Sequence, residues 1–451
     1  MNTLPRYARD LFFLMLILVV AALLRLTGIA HPDMTMFDEV IYKNYITMTL
    51  AGQPSFDIHP PLAKLLMLEV AKGYDFPLTH NMTKEMVPFG SFPYVPLRSL
   101  VALFGMLLPV FVYGIGRKIG YSSKWALVPA LFVACDSALI LYSRVMLPDM
   151  ILLTMNFAGI FFAISAAKAR GVMRYLYTAL AICSLAAAFS IKWTALGILA
   201  TALAIFIRKK MWWTVIGVFV MTPLVYVGSF LVFFQYFPSG GSIAPMFEGT
   251  QDPYNIGWIT SVEFPHGKNL ADDIAFLPTL HRTIIRANTD SEVNKQVFRP
   301  EGPRDWPLGK SSITFWHQNN GGAKISLTGN IVLWSISFLL LCYECCRLAI
   351  RALRKKTRTT DGYELLLVFG FLVNYVPFFF IARPMYIYHY FPALILLFLL
   401  IPKLSSHLQN DLIQLVNVPI LPKLLAAIAI MFAILCFLVL LPSTYGFSLM
   451  N

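Results

Sequence analysis

MFDEVIYKNYITMTLAGQPSFDIHPPLAKLL, residues Met36–Leu66, lies between the first apolar stretch of the chain and the second. It sets an acidic pair, Asp38-Glu39, and a His-Pro-Pro-Leu turn, His59–Leu62, at what reads as a water–lipid boundary. Carboxylates at such a boundary are costly unless they are paired or do chemistry. The segment is therefore the strongest pointer to a catalytic function.

The chain around it is mostly membrane. Of its 451 residues 58% are hydrophobic and 13% charged, and the mean hydropathy is +0.67. A soluble protein of this length needs more charge at its surface, so the chain reads as an all-α polytopic membrane protein. The net charge of +13 then reflects Lys and Arg in cytoplasmic loops, not a nucleic-acid partner.

A membrane helix needs about 20 apolar residues. About eleven stretches qualify, near 11–30, 98–116, 125–142, 149–167, 175–191, 192–207, 212–236, 328–349, 363–381, 387–402 and 422–442. The first follows Arg6 and Arg9, precedes Arg25 and has no small-residue cleavage site, so it reads as an uncleaved helix with a cytoplasmic N-terminus. Alternation then places Arg117-Lys118, Lys168-Arg170, Arg208-Lys209-Lys210, Arg351 to Arg358 and Lys403 inside. Every inner loop is basic, as the positive-inside rule requires. The long loops 31–97 and 237–327 fall outside, as does the C-terminus. The second long loop holds PEGPRDWPLGKSSITFW (Pro300–Trp316) and is expected to carry amphipathic helices on the membrane surface. The whole chain, 1–451, reads as one membrane-embedded domain. None of the six cysteines lies in an outer loop, which argues against a disulfide framework. Cys342, Cys345 and Cys346, near an inner helix end, have no second Cys/His cluster and suit membrane packing or lipidation.

The polar residues at outer helix ends collect on one side: Asp38, Glu39, His59, Lys64, Arg98, Asp136, Arg144, Asp149, Lys192, Arg383 and His389. An outward-facing cavity of this composition suits attack on a lipid-linked phosphosugar. Guanidinium and ammonium groups stabilise the departing phosphate, and a carboxylate takes the proton of an incoming hydroxyl. Each residue also has a plainer reading. Asp38 can cap a helix, Lys64 can snorkel, and Arg144, Lys192 and Arg383 can anchor helix ends. Asp136, deep in an apolar stretch, suits a salt bridge to an arginine. Trp193 and Tyr386 suit an interfacial belt. Trp306 and Trp316 suit either sugar stacking or docking to lipid. No compact metal motif is present, so no metal and no cofactor is expected at this site.

FDEVIY at Asp38 and FDIHPPLAKLL (Phe56–Leu66) resemble the first-loop signature of the protein O-mannosyltransferases, membrane glycosyltransferases of the C-type (GT-C) fold. YVPLRSLVALFG (Tyr94–Gly105), CDSALILYSRVMLPD (Cys135–Asp149), SIKWTALG (Ser190–Gly197), LTGNIVLW (Leu327–Trp334) and RPMYIYHYFPAL (Arg383–Leu394) resemble later stretches of that family, in order. The second outer loop, about ninety residues, is too short for the large soluble domain of the eukaryotic members, so the resemblance is to a minimal, prokaryotic form. Where the family has Leu-Leu-Asp, this chain has Leu147-Pro148-Asp149.

The resemblance implies a polyprenyl-phosphate mannose donor, a Ser or Thr hydroxyl of an exported protein as acceptor, and inversion at the anomeric carbon. It makes Asp38 the general base, with Glu39 and His59 supporting acceptor and sugar. Arg144, Lys192 and Arg383 become candidates for the donor phosphate, with Arg98 and Lys64 behind them. Asp136, Asp149 and His389 are left as supporting residues. It also implies a multi-pass protein of the plasma (inner) membrane with its site on the external or periplasmic face, in a family whose members can form dimers. Two rivals stay open. One is a transferase of the same fold that acts on lipid A, a glycan or a cell-wall polymer. The other is a transporter or flippase, against which the lack of an internal repeat and the one-sided polar set both count.

Overall fold

A computed structural model describes residues 5–78, 86–247, 259, 261–265, 269–289, 302–318, 322–353, 362–381, 383–416, 418 and 420–447. The architecture is a bundle of long apolar helices. α1 (Arg6–Leu26) enters it, and two short helices, α2 (Glu39–Leu50) and α3 (Leu62–Ala71), follow in the first long loop. Then come α4 (Tyr94–Lys118), α5 (Ser123–Cys135), α6 (Ser137–Tyr142), α7 (Asp149–Lys168), α8 (Gly171–Phe189), α9 (Leu196–Arg208) and α10 (Trp212–Phe234). The second long loop holds α11 (Leu270–Thr289) and two small antiparallel pairs, β1 (Gly241–Ser242) with β2 (Glu263–Phe264) and β3 (Ser312–His317) with β4 (Lys324–Thr328). α12 (Ile331–Leu353), α13 (Gly362–Tyr375), α14 (Phe391–Val416) and α15 (Leu421–Tyr445) complete the chain.

Among the described residues nine helices are long and apolar enough to cross a membrane. The expected spans near 125–142 and 192–207 are shorter apolar helices instead. The first of these breaks at Asp136, whose carboxylate accepts the Leu139 N–H and starts α6 as a helix cap. The remaining Asp136 oxygen accepts Trp334 Nε1–H at 2.7 Å, so its partner is an indole and not the expected arginine. In the second long loop one amphipathic helix, α11, is present among the described residues. Within the run singled out there, residues 312–317 form the strand β3. Pro300 and Glu301 of that run, and residues 354–358 of the expected inner basic loop, lie outside the described residues.

α7 and α15 are both apolar all round, yet they do different jobs. Of the most apolar window of α7, 78% is buried within the protein, and of α15 none is. α7 is thus the centre of the bundle and α15 faces lipid. Close packing at the centre relies on small residues, as lipid offers no hydrophobic drive for one helix to meet another. A Cβ at Gly105 of α4 would lie 2.4 Å from Ser143 Oγ and 3.1 Å from Arg25 Nε. Glycine there lets α4 pass directly beside the buried Arg25, which donates to Ser143 Oγ and to the carbonyls of Val133 and Ala134.

Candidate active site

The first long loop is shaped by a buried ion pair. Glu39, the first residue of α2, accepts Arg98 Nε–H at 2.9 Å and Nη2–H at 2.7 Å. It also accepts the backbone N–H groups of Met36 and Met146. Arg98 donates further to the carbonyls of Ile29, Pro32 and Met34. All five donors of its guanidinium are therefore engaged, and both side chains are fully buried. Arg98 has no hydrogen left for a phosphate, contrary to the expectation from sequence, and Glu39 braces the loop.

Arg144 is likewise occupied. It donates to the carbonyls of Arg25, Thr27 and Gly28 at the end of α1, and its guanidinium lies over the Tyr445 ring. A cation at a helix C-terminus neutralises the carbonyl dipoles there. Arg144 thus ties α1 to α15, with three of its five N–H groups held by these carbonyls. Lys64 is spent too. It pairs with Asp57 and donates to the His59 carbonyl, while Asp57 accepts the His59 N–H. This clasp shapes the turn that presents His59, and Pro61 then caps α3.

What remains is a smaller group. Asp38 stands at the N-cap of α2, just after Phe37, whose backbone is in the left-handed region (φ 50°). A bulky residue adopts that conformation only when its surroundings hold it. Here the Phe37 N–H donates to the Phe315 carbonyl of β3, and the two rings stack at 4.7 Å. Lys192, then Asp149 and Asp57, are the charges that act most on the half-buried Asp38 carboxyl. No donor among the described residues reaches it. Burial pushes it up to about 7, with the carboxylates of Asp149 and Asp57 adding to this and Lys192 opposing.

Lys192 and Asp149 form a buried pair at 2.8 Å, with the ammonium over the Tyr388 ring. Pro148 sits immediately before Asp149 at the start of α7, a place that a helix tolerates well. Asp149 also lines a cavity of about 390 Å³ between α7, α9 and α13. Its walls are mainly apolar, including Leu152, Leu153, Leu196 and Ile381, with polar groups from Trp193, Thr194, Tyr388, His389 and Asn374. Arg383 bonds Asn288 at the end of α11 and acts on the neighbouring imidazoles of His59 and His389. Burial first, then Lys192, Lys64, Arg383 and His389, hold His59 well below its ordinary value, so its imidazole is neutral. His389 bonds the Tyr386 backbone and stacks on Trp306.

The structure therefore gathers Asp38, His59, Lys192, Asp149, Arg383 and His389, engages Arg98, Arg144 and Lys64 in supporting contacts, and keeps Glu39 and Asp136 as supporting residues. Three parts of the site were not singled out from sequence: Asp57, Tyr388 and Asn288. Asp57 and Tyr388 lay inside the quoted motifs, whereas nothing in the sequence flags Asn288. Trp306 is fully buried and Trp316 nearly so, so neither is a lipid anchor. Trp193 lines the cavity and donates from Nε1 to Tyr226 Oη, in place of a simple belt role.

Residues 15–245 match the family model described as dolichyl-phosphate-mannose-protein mannosyltransferase, and residues 278–451 match the C-terminal four-transmembrane region of protein O-mannosyltransferase. Mannosyltransferase 4 of this kind from Schizosaccharomyces pombe is 34% identical over 140 residues, 31% of this chain and 18% of that one. Protein O-mannosyltransferase 1 from Drosophila melanogaster is 30% identical over 238 residues, 47% of this chain and 26% of that one. The matched stretches thus span only about a fifth to a quarter of these relatives.

Among solved structures, the fold is similar to the Saccharomyces cerevisiae Pmt1-Pmt2 complex bound to the sugar donor, with a TM-score of 0.77 at 16% identity over 99% of this chain and 91% of that one. It is also similar to the oligosaccharyltransferase of Archaeoglobus fulgidus, with a TM-score of 0.54 at 14% identity over 97% of this chain and 56% of that one. These likenesses establish the GT-C fold. Since one family model matches more than half of its length, and the second most of the remainder, the chain belongs to the dolichyl-phosphate-mannose-protein mannosyltransferase family.

Proposed function

We propose that the protein transfers a mannosyl residue from a polyprenyl-phosphate mannose to Ser or Thr hydroxyls of exported proteins, with inversion, at the outer face of its membrane. One observation carries this reading. A carboxyl with no hydrogen-bond donor among the described residues, Asp38, acts on and is acted on by a buried Lys–Asp pair whose Asp149 lines an apolar cavity. That arrangement supplies a base, a cation and a greasy groove beside one another. The named activities of the relatives are consistent with it.

In this mechanism the acceptor hydroxyl lies against Asp38. Its oxygen forms a bond to the anomeric carbon as the bond from that carbon to the phosphate oxygen breaks on the opposite side. The hydroxyl proton goes to Asp38, and the electron pair of the broken bond leaves on the phosphate. A carboxyl titrating near neutrality is a stronger base than an exposed one and still ionised in part at pH 7. Lys192 and Arg383 stabilise the charge that develops on the phosphate. Asp149 fixes Lys192, and the neutral His59 offers hydrogen bonds to the sugar. The polyprenyl chain occupies the apolar cavity beside Leu152, Leu196 and Ile381. No cofactor takes part. The likeness to a two-chain complex also fits assembly with a second chain.

The test is transfer of label from radiolabelled polyprenyl-phosphate mannose to Ser/Thr peptides by wild type and by Asp38→Asn. Transfer that disappears in the folded variant is the expected result. Transfer from another lipid-phosphate sugar alone would move the substrate, and no transfer from any would overturn the reading.

A further inference from the structure

Helix α11 does not lie flat over the bundle. Its Asp273 meets Gln235 just past the end of α10, and its Phe276 ring meets Phe234 at 5.7 Å. Its His281 ring meets Phe230 at 5.3 Å and bonds Tyr226. α11 therefore runs antiparallel along α10. From Phe234 to Tyr226 it descends about 12 Å at the rise of a helix. α10 is one of the helices long and apolar enough to cross a membrane. The C-terminal half of α11 thus stands beside a span, level with Trp193, which bonds the same Tyr226.

Leu270, Ile274, Pro278, Arg282 and Ile285 of α11 are exposed and recur every three or four residues, so they form one stripe along it. Four of the five are apolar, as a face toward lipid requires. Arg282 is the exception. Among the described residues no hydrogen bond, ion pair or ring contact engages it. The helix offers it no carboxylate either, since the positions three and four residues away are Pro278, Thr279, Ile285 and Arg286. A guanidinium in such a stripe is costly unless an anion meets it.

Its position favours an anion that travels within the bilayer. Leu196 and Ile381 line the apolar cavity and are themselves 54% and 42% exposed, so the cavity opens sideways there. Two residues past Ile381 stands Arg383, held by Asn288 of α11. Asn288 is about 9 Å farther along α11 than Arg282. A phosphate carried on a lipid therefore meets Arg282 before it meets Arg383. Paired N–H groups of a guanidinium suit two phosphate oxygens.

We propose that Arg282 takes up the phosphate of the polyprenyl-phosphate donor from the bilayer and passes it to Arg383 at the cavity mouth. The inference rests on the lipid-linked donor proposed above. Arg282 is a binding residue and takes no part in the bond changes of sugar transfer.

The full chain in nanodiscs of zwitterionic lipid is given a polyprenyl phosphate with a diazirine in its first isoprene unit, irradiated, and mapped for labelled peptides. Wild type is expected to carry label on α11. Arg282→Gln should lose most of it and Arg282→Lys should keep it. The exposure of Arg282 leaves the packing untouched, which an unchanged Tm checks. In initial-rate measurements over a range of donor content, Arg282→Gln should raise the KM about tenfold, the value of one hydrogen bond to a charged group, with a smaller effect on kcat. Label on α11 in a protein that transfers no mannose would support the capture of a lipid phosphate and remove the proposed sugar transfer. Mannose transfer in which a folded Arg282→Gln takes label and donor as wild type does would overturn the inference. So would loss of the wild-type label to an excess of phosphatidylglycerol, which would make Arg282 a general headgroup contact.

Discussion

Asp38 and Arg98 show how differently two charged residues of one conspicuous motif set behave. Asp38 is held near neutrality by burial and by two neighbouring carboxylates, with Lys192 as the opposing charge. A base must be unprotonated to act, so activity should rise with pH through an acid limb centred near 7. Removing the opposing cation stabilises the protonated form. Lys192→Met should therefore move the limb upward as well as lower kcat, and a pH–rate profile of the two proteins at saturating donor checks the sign. A limb that stays in place would separate Asp38 from the rate. Arg98→Gln should act on folding instead. It leaves Glu39 buried without its cation, a loss of about 3–5 kcal/mol, read as a lower Tm or poor accumulation of the protein in the membrane. The motifs made both residues visible, but only packing tells them apart. Five outer-end cations were candidates in sequence, and for Arg98 and Arg144 three of the partners of each are backbone carbonyls, which every residue has and no motif announces.

At the level of elements, hydropathy located the helices well and the non-helical parts poorly. Each expected apolar stretch is helical, because a bilayer leaves a backbone few other ways to satisfy its hydrogen bonds. The break at Asp136 and the strand at Ser312–His317 escaped notice. One depends on a single capping side chain, the other on a distant partner, β4. Helix α11 is the element whose consequence sequence hid most. Its His281 Nδ1 faces only the Leu277 carbonyl and so carries the proton, which leaves Nε2 to accept from Tyr226 Oη. Tyr226 in turn accepts Trp193 Nε1–H at the cavity wall. One turn or two later, Asn288 holds Arg383. α11 thus grips the candidate site at two points from the second long loop. Asn288→Ala should free Arg383 and raise the KM for the lipid donor about tenfold, the value of one hydrogen bond to a charged group, with a smaller effect on kcat. Initial rates over a range of donor concentrations measure this, and an unchanged KM would detach α11 from donor binding.

For the whole molecule, the distribution of free charge argues for one orientation. The positive-inside rule places an excess of Lys and Arg in the cytoplasmic loops. At the end bearing Asp38, Lys64, Arg98 and Lys192 are neutralised by Asp57, Glu39 and Asp149, and Arg144 is spent on carbonyls. The opposite end carries Lys209 and Lys210, both beyond the last turn of α9, and Arg170 before α8. Arg117 there is balanced by Asp10, yet the excess at that end stays positive. The rule therefore predicts the Lys209–Lys210 turn in the cytoplasm and the His59 turn outside. Single cysteines placed at Lys210 and at Gly90 of the first long loop, in a chain whose six native cysteines are replaced, make this measurable. In intact cells a membrane-impermeant maleimide should label the Gly90 site and spare the Lys210 site until the membrane is opened. Equal labelling of both, or the reverse order, would put the mannosyl acceptor on the wrong side and leave an external protein hydroxyl out of reach of Asp38.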